Sequence, residues 1–303
     1  MKVGVSLRSG YPVTDAREGA RWMVERARAA SAAGLDSLFV GDHHAVPIAY
    51  YQNSPILGRL LAEWDDRPAG ALYLLPLWNP VLVAEQVGTL ASIARGRFIL
   101  QCAIGGGPEQ FAAMGADIGR RPSAFEAAID IIRRLCAGET VSTDGPWPLR
   151  DVSVSPIPPE PLEVWIGGHA PAALDRAARL GDVWLAGPDP TVERAAGLLE
   201  GYRERCEVHG RSPSTVAIRR DIHVGADDDD ALRVAGPVLE AGYRGFEPGV
   251  CVVGGPETVA ERLRDLGRLG FTDVIIRHLV DDHSEVLASF ERLARVKELV
   301  SQG

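Results

Sequence analysis

Eight short apolar runs divide this chain, and each is followed by a stretch with helical spacing. The runs are rich in β-branched and aromatic residues without strict alternation. That pattern marks parallel strands buried on both faces. It predicts strands over Lys2–Leu7, Ser37–Gly41, Ala71–Leu75, Phe98–Ile104, Glu163–Ile166, Asp182–Ala186, Thr215–Val224 and Asp273–Arg277. Helix signals fall between them. Alanines and arginines recur at helical positions from Asp15 to Ala33, and Gly34 stops the run. Asn79-Pro80 pairs a capping side chain with proline at the first helical position. Asp227–Asp230 reads as a solvated acidic helix start, and Ser284–Val300 as the last helix. Eight alternating units predict an α/β chain forming one (β/α)8 TIM barrel, with chemistry at the C-terminal strand ends.

Three stretches exceed ordinary connections: 45–69, 138–161 and 242–256. The first contains Tyr50, Tyr51, a short apolar helix near Ile56–Trp64, and Trp64 itself. Long insertions at the catalytic face often enclose substrate, and Tyr50 and Tyr51 offer aromatic surface for it. The competing reading buries Ile56–Leu61 and Trp64 in a dimer interface. The second stretch, rich in proline, reads as an irregular hairpin.

Composition narrows the partners. A net charge of −9 argues against nucleic acid, since phosphate backbones require Lys and Arg. No apolar run reaches membrane-spanning length, and Met1-Lys2 leads straight into a strand, so no signal peptide is expected. Cys102, Cys136, Cys206 and Cys251 show no disulfide or metal spacing and read as free thiols, which points to the cytoplasm.

Four groups of residues at strand ends carry candidate chemistry. Asp42, His43 and His44 end strand two. Adjacent residues on an extended segment face opposite ways, so a shared metal ion is disfavoured. His43 then reads as a proton carrier steered by Asp42, with Asp42 as a plain loop cap the alternative. Glu109, after three glycines, is either an acid or base or a helix cap. Gly167, Gly168 and His169 after strand five, with Ala186 and Gly187 after strand six, form either two ordinary turns or a backbone cradle for an anion. Arg277 and His278 end strand eight, and Arg219, Arg220 and His223 lie along strand seven. Arginine in a barrel strand needs a carboxylate partner or a bound anion from substrate or cofactor. No metal site is expected. Neither the dinucleotide fingerprint nor the P-loop sequence occurs.

The chain resembles the luciferase-like family of flavin- and deazaflavin-dependent oxidoreductases. The resemblance rests on Ala33–His43, on Asn79-Pro-Val-Leu-Val-Ala-Glu85-Gln86 and on Gly96-Arg97-Phe-Ile-Leu. It continues in Gly105–Gly115, Val164–Gly168, Ala177–Trp184, Gly254–Glu257 and Asp273–Arg277. It implies FMN or coenzyme F420, a small or medium organic substrate, and often a homodimer. The cofactor ring would lie over the strand ends near His43, Leu72, Tyr73 and Gln101, with a non-proline cis peptide at Leu72-Tyr73. Its phosphate would rest on Gly167, Gly168, His169, Ala186 and Gly187. Two departures bear on the cofactor. The family's Gly-x-Gly near the end of strand four reads Gln101-Cys102-Ala103, and the arginine that contacts FMN phosphate in luciferase is replaced within Gly105-Gly106-Gly107. The second departure favours F420 over FMN. The expected activity is hydride transfer from reduced F420 to an activated double bond. The alternatives are an FMN monooxygenase fed by a separate flavin reductase and a non-catalytic flavin-binding protein. An F420 reductase is the corresponding partner for the deazaflavin. A metal-dependent barrel hydrolase is disfavoured by the missing ligand spacing.

Overall fold

The computed structural model describes residues 1–302. Its eight barrel strands are β1 (Lys2–Leu7), β2 (Leu38–Val40), β3 (Ala69–Leu74), β4 (Phe98–Ala103), β5 (Glu163–Gly167), β6 (Val183–Ala186), β7 (Val216–Val224) and β8 (Asp273–His278). Each pairs in parallel with the next, and β8 pairs with β1, so the sheet closes. The expected TIM barrel is therefore the fold. Two boundaries differ in a way that matters. β3 starts at Ala69, two residues earlier than the apolar pattern suggested, because Ala69 and Gly70 pair with Phe98 and Ile99. A further short strand, Val252–Gly254, lies inside the Gly/Pro-rich stretch and extends the sheet beside the end of β7.

Alternation along each strand sorts side chains into the barrel or toward the helices. Phe39, Ile99, Trp165, Val183, Ala217 and Ile275 point inward and pack into one plug across the barrel. Gly70 leaves room for it: a Cβ there would come within 2.0 Å of the Ile99 carbonyl oxygen and 3.1 Å of the Phe39 ring. The outward faces pack on a ring of helices. α1 (Ala16–Ala32) begins at Asp15, whose carboxylate accepts from Arg17 N, and Gly34 takes the left-handed φ of +69° that ends it. α2 (Asn53–Leu60) belongs to the first insertion, and α3 (Pro80–Ile93) is capped by Asn79 as its sequence predicts. α4 (Pro108–Ala113) is short, and α5 (Arg121–Cys136) precedes the hairpin Val141–Thr143/Leu149–Val152. α6 (Pro171–Leu180), α7 (Val192–Val208), α8 (Asp228–Glu240), α9 (Pro256–Leu269) and α10 (His283–Ser301) complete the ring. No helix among the described residues is long and apolar enough to cross a membrane.

The first insertion is packed structure. Ala49–Tyr50 pairs antiparallel with Gly10–Tyr11. Asn53 Nδ2 donates to Leu72 O at 2.7 Å, tying α2 to the end of β3. Ile56, Leu57, Leu60, Leu61 and Trp64 are buried within the chain itself, so they are not free to form a subunit interface. Leu72-Tyr73 is trans, against the family expectation, and among the described residues the one cis peptide is Ser155-Pro156. The ladder explains this: Leu72, Tyr73 and Leu74 continue in register with Gln101, Cys102 and Ala103, leaving no bend.

Two buried imidazoles link the barrel to its helices. His278 lies against Phe290 of α10, with Nε2 3.0 Å from Ser289 Oγ, and His223 is fully buried without a hydrogen-bond partner. Burial holds both below the usual histidine pKa. The unfolded chain therefore binds more protons once the pH falls below about 6.5. Stability is full above that pH and declines below it. Denaturant unfolding should show this decline between neutral pH and about pH 5, with a shallower slope in His278→Asn. An unchanged slope would contradict the neutral buried state.

Candidate active site

The plug stops one layer below the C-terminal end of the barrel. Above it opens a cavity of about 480 Å³. Its floor is the next inward layer: Ser6 from β1, Gly41 after β2, Leu72 from β3, Gln101 from β4, Leu185 from β6, Arg219 from β7 and Arg277 from β8. Arg8, His43, Tyr50, Tyr243 and Arg244 form the walls. The volume is that of an ordinary small-molecule site. A larger depression of about 910 Å³, around Met1, Lys2, Thr215 and Asp273, lies at the strand starts. That end of a barrel serves stability, so the smaller cavity, at the C-terminal strand ends, is the candidate site.

The cavity has two unlike sides. Leu72, Gln101 and Leu185 give the β3–β6 side an uncharged surface. Gln101 is buried, and its Nε2 has no hydrogen-bond partner. Buried amide donors without partners cost about 1–3 kcal/mol, so this one is poised for a ligand acceptor. The β7–β8–β1 side is basic. Asp221, 1% exposed, is its internal counter-charge. It accepts from Arg219 Nε (2.9 Å) and Nη2 (3.0 Å), from Tyr243 OH (2.9 Å) and from Arg244 Nη1 (3.1 Å). Burial opposes the charge on Asp221, but Arg219, Arg277 and Arg244 prevail and hold it below the ordinary carboxylate range. The Arg277 side chain makes no hydrogen bond with the described residues, and its Nε is buried without a partner. Burial, with Arg219 beside it, lowers the guanidinium to about 10, which leaves it a cation at neutral pH.

The residues singled out by sequence divide sharply. Asp42 is buried, and its Oδ2 accepts from Leu74 N at 2.7 Å and Trp78 Nε1 at 2.8 Å. Its Oδ1 stands 3.2 Å from Nε2 of His44, not of His43, at an angle too poor for a hydrogen bond. Asp42 therefore fastens β2 to the end of β3 rather than steering His43. His43 faces the cavity mouth, with its ring centre 6.0 Å from that of Tyr50. Partial loss of solvent there lowers its pKa against the pull of Asp42, so the imidazole is neutral at pH 7. Its ring nitrogens make no hydrogen bond to the described protein.

Several expected residues lie elsewhere. Glu109 is exposed in the first turn of α4 and does not line the cavity; the neighbouring Gln110 turns inward and accepts from His44 N at 2.7 Å. Tyr73 points out of the barrel, one step of alternation from Leu72, and its hydroxyl shares a 2.7 Å hydrogen bond with Ser54. Tyr50 reaches the cavity, its hydroxyl over Gly41. Tyr51, on the opposite side of that extended segment, bonds Ala16 O on α1 instead. Arg219 and Arg220 also part: Arg220 points outward and donates to Pro190 O at 3.0 Å. Arg8, Asp221, Tyr243 and Arg244 were not singled out by sequence. Alternation from Arg219 places Asp221 inward, and that was the available signal for it.

The glycine turns adjoin the uncharged side. Gly168 has φ +137° and accepts from Trp184 Nε1 at 2.7 Å. A Cβ on Gly167 would make ordinary contacts at 3.7–3.9 Å with Cys102 O, Ala103 Cβ and Leu185 O, so the fold tolerates one there. A Cβ on Gly187 would lie 2.9 Å from Asp189 Oδ1, whose carboxylate is 3.9 Å from His169 Nδ1. α6 starts beside them at Ala170 without a side-chain cap; Pro171 has no N–H and Ala173 N donates to Ala170 O at 2.7 Å, so the amide left for a ligand in this turn is that of Ala172. Among the described residues no cluster of His, Cys, Asp or Glu is arranged to hold a metal ion.

Known proteins resemble this chain in sequence or in fold. The F420-dependent glucose-6-phosphate dehydrogenase of Kribbella flavida is 28% identical over 236 residues, 74% of this chain and 71% of that enzyme. The FMN-bound oxygenating constituent of 3,6-diketocamphane monooxygenase from Pseudomonas putida superposes with a TM-score of 0.81 at 18% identity, covering 100% of this chain and 99% of that one. An F420-dependent secondary alcohol dehydrogenase, in complex with an F420–acetone adduct, gives 0.77 at 18% identity over 98% and 99% of the two chains. The profile of the luciferase-like monooxygenases matches residues 1–249, from β1 through β7 and the loop that supplies Tyr243 and Arg244. The chain is thus an oxidoreductase of the luciferase-like monooxygenase family.

Proposed function

We propose that the cavity binds a reduced deazaflavin or flavin, F420 in preference to FMN, and uses it to reduce a small organic substrate. The observation that carries this reading is the two-sided cavity, whose uncharged side suits a flat ring. Gln101 Nε2, buried and unpartnered on the floor, fits a ring acceptor. Gly167 has no side chain to crowd a ligand, and the start of α6, without a side-chain cap, suits a phosphate. Relatives named as F420-dependent dehydrogenases, and the Gly105–Gly107 run in place of the luciferase arginine, support F420. When bound, reduced F420 supplies a hydride, whereas reduced FMN supplies electrons that activate oxygen. The FMN reading is the second one, and the family's monooxygenase members favour it.

The chain's own residues have separable tasks. Gln101 donates to the ring, Leu72 and Leu185 pack on it, and Gly167, Gly168 and His169 hold the phosphate. Gly187 and Ala186 shape the neighbouring turn, where Asp189 opposes an anion. His43, neutral and free of protein partners, accepts or returns a proton at a ring nitrogen facing the cavity. Tyr50 closes the mouth beside it. A homodimer, a cytoplasmic location and a flavin or F420 reductase that recharges the cofactor belong to the same proposal.

Gly167→Val tests the binding side, because its Cβ has room in the fold but projects into the space left for the cofactor. The variant should unfold like the wild type yet bind F420 or FMN at least about tenfold more weakly, a loss of roughly 1.4 kcal/mol. Equal affinity in the folded variant would place the cofactor elsewhere.

His43→Gln keeps a hydrogen-bonding side chain and removes the titration. Turnover should fall by roughly 10²–10⁴-fold with cofactor affinity kept, and the pH–rate limb that reports the imidazole should vanish. A variant with full activity, or one retaining that limb, would remove His43 from proton transfer.

A further inference from the structure

The charges around the cavity do not balance. Arg8, Arg219, Arg244 and Arg277 line it with four guanidinium groups. The one carboxylate in the lining, Asp42, is committed to Leu74 N and Trp78 Nε1. Asp221, just behind the wall, is saturated by Arg219, Arg244 and Tyr243. Arg8 pairs with Asp281 and donates to Gly10 O at 3.1 Å. Arg277 is left over. Asp221 sits directly across the β7–β8 ladder from it, yet its oxygens are turned to other donors. A guanidinium among like charges with no protein hydrogen bond is open to a bound anion, which would gain both the charge and the donors.

We propose that Arg277, with Arg8 and Arg219 on either side, binds an oxyanion carried by the organic substrate. Two features favour substrate over cofactor as the source of that anion. The glycine turns that suit a phosphate lie after β5 and β6, three and two strands from β8 around the ring. Leu72, Gln101 and Leu185, which suit the ring, belong to β3, β4 and β6 and leave the β8 and β1 wall to Arg277 and Arg8. A guanidinium fork matches the two oxygens of a carboxylate or the paired oxygens of a phosphate ester. The bound molecule is small, because it shares 480 Å³ with the ring. Its anion is anchored on the β8 side, and its reactive bond points toward the middle of the floor. This inference rests on the proposed cofactor side, and the test separates the two.

The test is titration calorimetry of the cofactor-loaded protein with benzoate, phenyl phosphate and the neutral control benzyl alcohol. Benzoate or phenyl phosphate should bind, and the preferred one identifies the anion as carboxylate or phosphate. Benzyl alcohol should bind at least about tenfold more weakly, and added chloride should weaken the anions alone. Arg277→Met should reduce anion affinity by at least about tenfold with cofactor affinity unchanged, and Arg277→Lys should recover part of it. If Arg277→Met does not fold, the chloride dependence and the benzyl alcohol comparison on the wild type decide the matter. Equal binding of the neutral control, no binding of either anion, or a folded Arg277→Met that keeps anion affinity would overturn the proposal. Loss of cofactor affinity in Arg277→Met would overturn it too, by assigning the arginines to the cofactor. A protein that binds neither cofactor in direct titration would instead refute the cofactor reading and leave the anion test to be read on the free protein.

Discussion

A closed parallel barrel must fill its own interior, and where the filling stops decides where a ligand can enter. Here six side chains, Phe39, Ile99, Trp165, Val183, Ala217 and Ile275, plug the middle. Close packing at that level forbids a side chain at Gly70, where backbone oxygen already occupies the space. One inward step further along each strand the continuous apolar filling ends. That layer carries Ser6, Gly41, Leu72, Gln101, Leu185, Arg219 and Arg277. The cavity is therefore a consequence of the strand register, not of a loop laid over the barrel.

Two buried carboxylates secure the walls of this cavity. Asp42 joins the end of β2 to the end of β3 and to Trp78, and so fixes the segment from which His43 and Tyr50 project. Asp221 gathers Arg219, Arg244 and Tyr243 on the opposite wall. Each is bound by donors from several segments, an arrangement that makes a buried charge tolerable. They make the two sides differ: Asp42 is spent on neutral donors, whereas Asp221 offsets only part of a cluster of cations. The cavity keeps a net positive side facing an uncharged one.

The fold was legible because buried parallel strands and helix caps are written locally. Lys2–Leu7, the Asn79-Pro80 cap and the acidic start at Asp227 appear in the structure as the sequence predicts. The site was legible in part. Strand ends pointed to His43, Gln101 and Arg277, which do face one cavity. Inward or outward direction was the information most often missing: it separates Leu72 from Tyr73, Tyr50 from Tyr51 and Arg219 from Arg220. One strand's phase resolves such pairs only when the closed barrel fixes which face is inside. Sequence left Asp42 between steering His43 and capping its loop, because its partners, Leu74 N, Trp78 and His44, come from beyond its immediate neighbour or from another strand. Tyr243 and Arg244 escaped notice because they sit in a Gly/Pro-rich loop, and only the Asp221 carboxylate draws them to the wall.

The central claim is that the cavity has a cofactor side at β3–β6 and an anion side at β7–β1. The most direct measurement is a crystal structure of the protein loaded with F420. The account predicts the deazaflavin ring against Leu72, Gln101 and Leu185, its phosphate at the turn formed by Gly167–His169, and Arg277 free of any cofactor atom. A cofactor phosphate or carboxylate bonded to Arg277, or a ring bound outside this cavity, would contradict it.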